Sequence, residues 1–129
     1  MFLGFYEPSL LEKKRFALPK RIRSEIKGNR VILTVGFDTC IFGFDEKVWQ
    51  DVVRPELEKP FFSDSEARKM RRKMCVNASI VTLDSQSRLV LPDMMVDQAQ
   101  IHETIVLVGA GDHFEIWDKE LWEAYRETL

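Results

Sequence analysis

The sequence predicts a mainly β protein with short helices, built from two tandem copies of one small unit joined by a helical linker. Three observations predict it. The chain repeats itself at a shift of 73 residues, each repeat strings short β-branched or aromatic runs between turn residues, and each repeat is too short to bury a comfortable core alone.

Laid on itself at that shift without a gap, the chain matches Leu10 with Leu83, Arg15 with Arg88, Leu18-Pro19 with Leu91-Pro92, Ile32 with Ile105, Val35-Gly36 with Val108-Gly109, Asp45 with Asp118 and Trp49 with Trp122. These are nine identities across the 40 positions from Leu10 to Trp49. Ordinary residue frequencies would give about two or three, so duplication is the reading adopted. Copy one is placed at 5–52, a linker with a helix at 53–75, and copy two at 76–124.

Each copy has the same grammar. A polar turn, Leu11-Glu12-Lys13-Lys14 or Asp84-Ser85-Gln86-Ser87, precedes a short run, Arg15-Phe16-Ala17-Leu18 or Arg88-Leu89-Val90-Leu91, which a proline ends. Helix-compatible sequence follows, then the β-branched runs Val31–Val35 and Thr104–Val108, a glycine-marked turn, and the runs Ile41–Phe44 and Phe114–Trp117. Asp45 and Asp118 are expected to N-cap helices bearing Val48, Trp49 and Val52, or Leu121, Trp122 and Tyr125, on one face. In the linker, Ser63-Asp64-Ser65-Glu66 reads as a capping box. The helix it starts carries Ala67, Met70, Arg71 and Met74 at helical spacing, with Arg68, Lys69, Arg72 and Lys73 on a solvated face. Met70, Met74 and Phe61-Phe62 are expected to lie at subunit contacts or between the halves.

With 45% hydrophobic and 31% charged residues, the composition is that of a globular protein. No apolar run approaches the roughly 20 residues of a membrane-spanning helix, and the N-terminus lacks the pattern of a secretory signal. Cys40 and Cys75 form no CxxC pair, and the histidines His102 and His113 complete no metal-ligand spacing, so neither a disulfide nor a metal is expected. His113 lies beside Asp112, but no serine or cysteine is placed to complete a catalytic set and no glycine loop is built to cradle phosphate. The chain is read as not an enzyme.

Several fragments resemble a known family when taken in their joint order, spacing and total length. They are Met1-Phe2-x-Gly4, Arg15-Phe16-x-x-Pro19-x-Arg21-x-Arg23, Asp84-x-x-x-Arg88-Leu89-x-x-Pro92 and Phe114-Glu115-Ile116-Trp117-Asp118. Over essentially the whole chain they resemble the MraZ family. The resemblance implies tandem AbrB-like swapped-hairpin half-barrels interlocked into one double-psi-like barrel. It also implies a cytoplasmic, nucleoid-associated transcriptional regulator of bacterial cell-division and cell-wall genes, assembled as a ring of subunits on short repeated boxes of double-stranded DNA. No cofactor, small-molecule substrate or membrane partner is implied. The chain departs from the family pattern in copy one, where Leu11 replaces the aspartate of an Asp-x-x-x-Arg motif, with Glu12 displaced by one residue. Lys14 and Ser87 both stand where glycine is common in the family.

Net charge is −2, but its distribution is uneven. From Ser9 to Arg30 the balance is +6, and in the equivalent window from Thr82 to Glu103 it is −3. Local charge sets a binding field, so copy one is the expected DNA-reading copy. Lys13, Lys14, Arg15, Arg21 and Arg23 are the expected contacts, with Lys20 secondary. Lysines suit phosphate, and arginines suit phosphate or a base edge. Asp84 and Arg88 are expected to form a structural pair across the copy-two turn. An alternative is a protein-binding module of the same half-barrel fold, like the antidote partner of a toxin. The tandem copies and the closing helix through Tyr125–Leu129 are read against it.

Overall fold

A three-residue strand leaves backbone N–H and C=O groups that some neighbour must satisfy, and in this chain most neighbours come from the other copy. The computed structural model describes residues 1–35, 37–60 and 62–129. Copy one contains β1 (Phe5–Tyr6), β2 (Arg15–Ala17), α1 (Lys20–Arg23), β3 (Arg30–Thr34) and β4 (Ile41–Asp45). The chain then turns through α2 (Glu46–Val48), a π-helical turn (Trp49–Val53) and α3 (Arg54–Leu57). The linker helix is α4 (Ser65–Val76). Copy two contains β5 (Ser79–Thr82), β6 (Arg88–Val90), α5 (Asp93–Gln98), β7 (Ile105–Gly109), β8 (Phe114–Asp118) and α6 (Lys119–Arg126).

The antiparallel hairpins β3–β4 and β7–β8 stay within their copies. The other described pairings, β1 with β7, β2 with β6, β3 with β5 and β4 with β8, all cross between copies. The strands form one six-stranded sheet in the order β1-β7-β8-β4-β3-β5 and a separate two-stranded ribbon, β2-β6. No closed barrel is formed among the described residues, which corrects the expectation of a double-psi-like barrel. Pro19 and Pro92 stand just beyond the two ribbon strands, where a proline ends a run.

The sheet separates two apolar layers. On its inner face Val31, Leu33, Ile41, Ile105, Leu107, Phe114 and Ile116 pack with Phe16 and Leu89 of the ribbon, Ile22 of α1 and Met95 of α5. On its outer face Cys40, Phe42, Phe44, Val106 and Trp117 pack with Val53, Leu57, Met74 and Trp122 from the covering helices. At the β4–β8 crossing Gly43 opposes Phe114, and a Cβ on Gly43 would lie 2.3 Å from the Phe114 ring. The glycine is therefore the space that admits the larger ring.

Strand register overturns part of the gapless alignment. Val31 faces Asp45 and Ile105 faces Asp118, so with Asp45 and Asp118 equivalent, β3 matches β7 at a shift of 74. The identities Ile32/Ile105 and Val35/Val108 are accordingly out of register, since a one-residue slip turns every side chain to the opposite face. Gly36, matched to Gly109, and Phe61, expected at a contact, lie outside the described residues. The surrounding elements do keep the shift of 73: Leu18 N donates to Ser87 O as Leu91 N donates to Lys14 O.

Both buried aspartates cap as their positions demand, Asp45 accepting from Lys47 N and Asp118 from Leu121 N. Each also takes a loop amide from its own copy, Lys27 N at 3.0 Å and His102 N at 3.0 Å. At α4 the cap is Asp64, which accepts from Ala67 N at 3.0 Å, and not Ser63 one residue earlier. The buried Thr34 hydroxyl donates to Met74 O at 2.9 Å, tying α4 to β3. Met74 is buried, Met70 is partly exposed and Phe62 is almost fully exposed.

His113 sits between two carboxylates, Nδ1 with Asp112 and Nε2 with Glu115, both at 2.8 Å, against the rings of Phe42 and Phe44. Trp117 Nε1 donates to the second oxygen of Glu115 at 2.9 Å. Burial pushes the imidazole pKa down, but the bonds to Glu115 and Asp112 outweigh it and leave it raised. Burial pushes Glu115 up, and the His113 and Trp117 bonds outweigh that and leave it lowered. The His113 contribution is therefore complete below the ordinary histidine range and fades as pH rises through the raised value. The Glu115 contribution is complete above the ordinary carboxylate range and fades as pH falls through the lowered value. Thermal midpoints measured across pH should show a stability maximum in mildly acidic solution that His113→Gln flattens. An unchanged profile in the variant would remove this cluster from the stability account.

Candidate nucleic-acid interface

The ribbon positions the two motif arginines. Phe16 and Leu89 oppose each other and point into the core, so their neighbours must point outward. Arg15 faces Val90 and Ala17 faces Arg88, which puts the two equivalent arginines diagonally on one outward face of the same two strands.

The turns feeding that face differ. In copy two, Asp84 Oδ1 accepts from Gln86 N at 2.8 Å and Arg88 N at 2.9 Å, while Oδ2 accepts from Arg88 Nε at 2.7 Å. These bonds, the Arg88 backbone amide foremost, hold the Asp84 carboxyl below its ordinary range. In copy one, Leu11 N still donates to Arg15 O at 2.7 Å, as Asp84 N does to Arg88 O at 3.0 Å, but Leu11 brings no carboxylate. Lys13 and Lys14 then both adopt left-handed backbone, at φ 60° and 54°, where copy two has Ser87 alone at φ 58°. Lys14 and Ser87 thus occupy the conformation for which glycine is best suited. For other residues it costs roughly 1–2 kcal/mol.

Arg15 itself is half-buried, and its Nε is shut away from solvent without a hydrogen-bond partner. An unmade bond of that kind costs about 1–3 kcal/mol. Copy one therefore carries an unsatisfied guanidinium donor on a tight cationic turn, whereas the copy-two arginine is held by its own aspartate. A phosphate or carbonyl oxygen would satisfy that Nε only once the side chain turns outward, since as it stands the atom is closed to solvent.

The expected contact residues do not form one cluster. Lys13, Lys14 and Arg15 are contiguous at the start of β2, and Lys14 Nζ donates to His102 O at 3.1 Å, just past α5. Arg21 is exposed on α1, beyond the other end of β2. Lys20 is exposed beside it. Arg23 is engaged within the protein: its Nε donates to Ser87 Oγ at 3.2 Å and its Nη1 to Ile26 O at 3.0 Å. Because β2 and β6 pair across the copies, α1 abuts the copy-two turn, and the copy-one turn reaches the segment after α5. Ser87 and His102 gave no sign in the sequence of these roles, since both depend on which copy lies beside which. Among the described residues no group of three or more His, Cys, Asp or Glu is placed to hold a metal ion, and no helix is long and apolar enough to cross a membrane.

Fold and site together define an internally duplicated β protein whose copies meet in an arginine-bearing ribbon. A family model described as "MraZ protein, putative antitoxin-like" matches the chain twice, at residues 1–72 and 74–129. Proteins named Transcriptional regulator MraZ are similar along nearly the full length. That of Syntrophomonas wolfei is 36% identical over 128 residues, covering 99% of this chain and 88% of its own. That of Roseiflexus sp. (strain RS-1) is 35% identical over 123 residues, covering 95% and 85%. That of Clostridium acetobutylicum is 34% identical over 128 residues, covering 99% and 89%. The chain belongs to the MraZ family.

Replacing Lys14 by glycine tests the turn. Lys14→Gly relieves a left-handed lysine and should raise the thermal midpoint by a few degrees. If Lys14 neutralises a phosphate, the slope of log K against log salt for DNA binding should also fall by about one. A lower midpoint would show that the lysine's reach to His102 outweighs the backbone cost.

Proposed function

We propose that this chain is a sequence-specific DNA-binding transcriptional regulator that acts as an oligomer, in a ring, on repeated boxes of double-stranded DNA upstream of cell-division and cell-wall genes. Its place is the cytoplasm, associated with the nucleoid. Its architecture is read as tandem AbrB-like swapped-hairpin units at 5–52 and 76–124, with 53–75 as linker. The observation that carries the reading is the asymmetry of one ribbon: Arg88 bound to Asp84 at 2.7 Å, and Arg15 in the equivalent position with an unpartnered Nε beside two lysines. The names of the relatives support the regulatory role.

In this reading Lys13 and Lys14 neutralise phosphates, and Arg15 binds phosphate or a base edge from the outward face of the ribbon. Arg21 extends the cationic surface past the far end of β2. Arg23 acts by holding the copy-two turn in place. One chain offers few contacts, so tight binding comes from several subunits on successive boxes, where effective concentration multiplies weak contacts.

Promoter affinity measured over a range of salt for Arg15→Ala and Arg88→Ala tests this directly. Arg15→Ala should fold normally and lose most of its binding. The loss takes the form of a salt slope reduced by about one for a phosphate contact, or about 1–3 kcal/mol with relaxed specificity for a base contact. Arg88→Ala should act mainly through a lowered thermal midpoint. Normal affinity and slope in Arg15→Ala would take the DNA-reading role from this face. Binding partners found without any salt dependence would favour the protein-binding alternative.

A further inference from the structure

The outer apolar layer is not closed. Between the sheet and its covering helices it opens into a pocket of about 330 Å³, within the range of roughly 300–1,000 Å³ that suits small molecules. Its aromatic wall is Phe42 and Phe44 of β4 together with Phe37 of the turn before that strand, whose ring centre lies 5.8 Å from that of Phe42. The facing wall is aliphatic, with Val52 from the π-helical turn, Leu57 from α3 and Met70 from α4. Phe42, Phe44 and Leu57 are buried at the base, whereas Phe37 is 49% and Val52 45% exposed at the mouth. An apolar guest would cover the side chains that the fold itself leaves in water.

The charged groups around the mouth have one net sign. Glu56, Asp112 and His113 line the pocket, and among the described residues no lysine or arginine does. Glu56 is matched by Lys59 at 2.6 Å. At the other end His113 stands between Asp112 and Glu115, so two carboxylates face one imidazole and the group keeps a negative charge even with the ring protonated. The Asp112 side chain remains 54% exposed. The adjoining cleft shares Phe37, Glu56 and Met70 with the pocket. It sets Lys59, Lys69 and Lys73 against Glu56, Asp64 and Glu66, and so adds no net charge. Aromatic rings beside an uncompensated carboxylate favour a cation, because the ring faces and the carboxylate both attract positive charge. An anion of the same shape would meet that carboxylate unscreened, and a neutral guest would gain only from burial.

We propose that this pocket binds a lipophilic organic cation, of the class of aryl-substituted ammonium and phosphonium ions, with its charge toward Asp112 and its apolar body among Phe37, Phe42 and Phe44. The pocket lies on the outer face of the sheet, whereas the ribbon that bears Arg15 packs against the inner face. The ligand site and the DNA-reading face are therefore separate, and either reading can fail without the other.

Calorimetric titration of the full chain with tetraphenylphosphonium and with tetraphenylborate tests it, since the two ions share a shape and differ in the sign of their charge. In sodium buffer of low ionic strength the phosphonium should saturate a single site and bind about tenfold tighter than the borate. Phe37→Ala removes the exposed ring and should weaken the phosphonium several-fold. Val52→Lys sets an ammonium at the mouth, and should weaken it further and turn the preference toward the borate. Both positions are half-exposed, so the fold should survive, and the wild-type preference between the two ions needs neither variant. Phosphonium that does not saturate, borate that binds wild type as tightly or more tightly, or phosphonium binding that is unchanged in the folded variants would each overturn the proposal.

Discussion

Phe16 and Leu89 face each other where the two copies cross, and the burial of both beneath the six-stranded sheet constrains much of the chain. Fully burying side chains of this size stabilises a fold by roughly 1.5–3 kcal/mol each. Because the two ribbon strands pair with each other across the copies, that burial ties one copy to the other. Each turn is then bonded to the other copy's strand exit, through Leu18 N to Ser87 O and Leu91 N to Lys14 O, both at 2.9 Å. The outward positions of the same two strands are fixed by that pairing, and they hold Arg15 and Arg88. One packing constraint thus links the core to the surface that is proposed to meet DNA.

Duplication supplies a control inside the molecule. Arg15 and Arg88 share backbone pairing, strand position and degree of burial, so their different states trace to the turns before them. Where Asp84 is present, its carboxylate organises two backbone amides and one guanidinium. Where Leu11 replaces it, the turn keeps its closing bond but takes two left-handed lysines, and the arginine Nε is left without an acceptor. The unsatisfied donor and the strained turn are of comparable cost, about 1–3 and 1–2 kcal/mol per residue. Natural proteins tolerate such costs chiefly where a functional contact recovers them.

Much of this was legible in the residues. The repeat, the order of strands and helices, and the aspartate caps at Asp45 and Asp118 followed from local chemistry, and the family resemblance marked Lys14 and Ser87 as glycine-like turn positions. What escaped was information that exists only between segments. The slip of β3 against β7 is hidden because Ile32/Ile105 and Val35/Val108 are matches of the commonest strand residues, and only the facing of Val31 and Ile105 to the two aspartates exposes it. The engagement of Arg23 with Ser87, and of Lys14 with His102, depends on which copy lies against which. Counting charge along the chain could not show that the basic residues of copy one are divided between the two ends of β2.

The account depends on Arg15 being the poised arginine and Arg88 the tethered one, and the Nε–Hε signals of the two side chains report this most directly. Followed by nuclear magnetic resonance in the free protein, the Arg88 signal should show the slow exchange of a proton bonded to Asp84. Saturation with promoter DNA should shift the Arg15 signal and leave Arg88 where it was. An Arg15 signal unmoved by bound DNA, or an Arg88 proton that leaves Asp84 to take its place, would contradict the assignment.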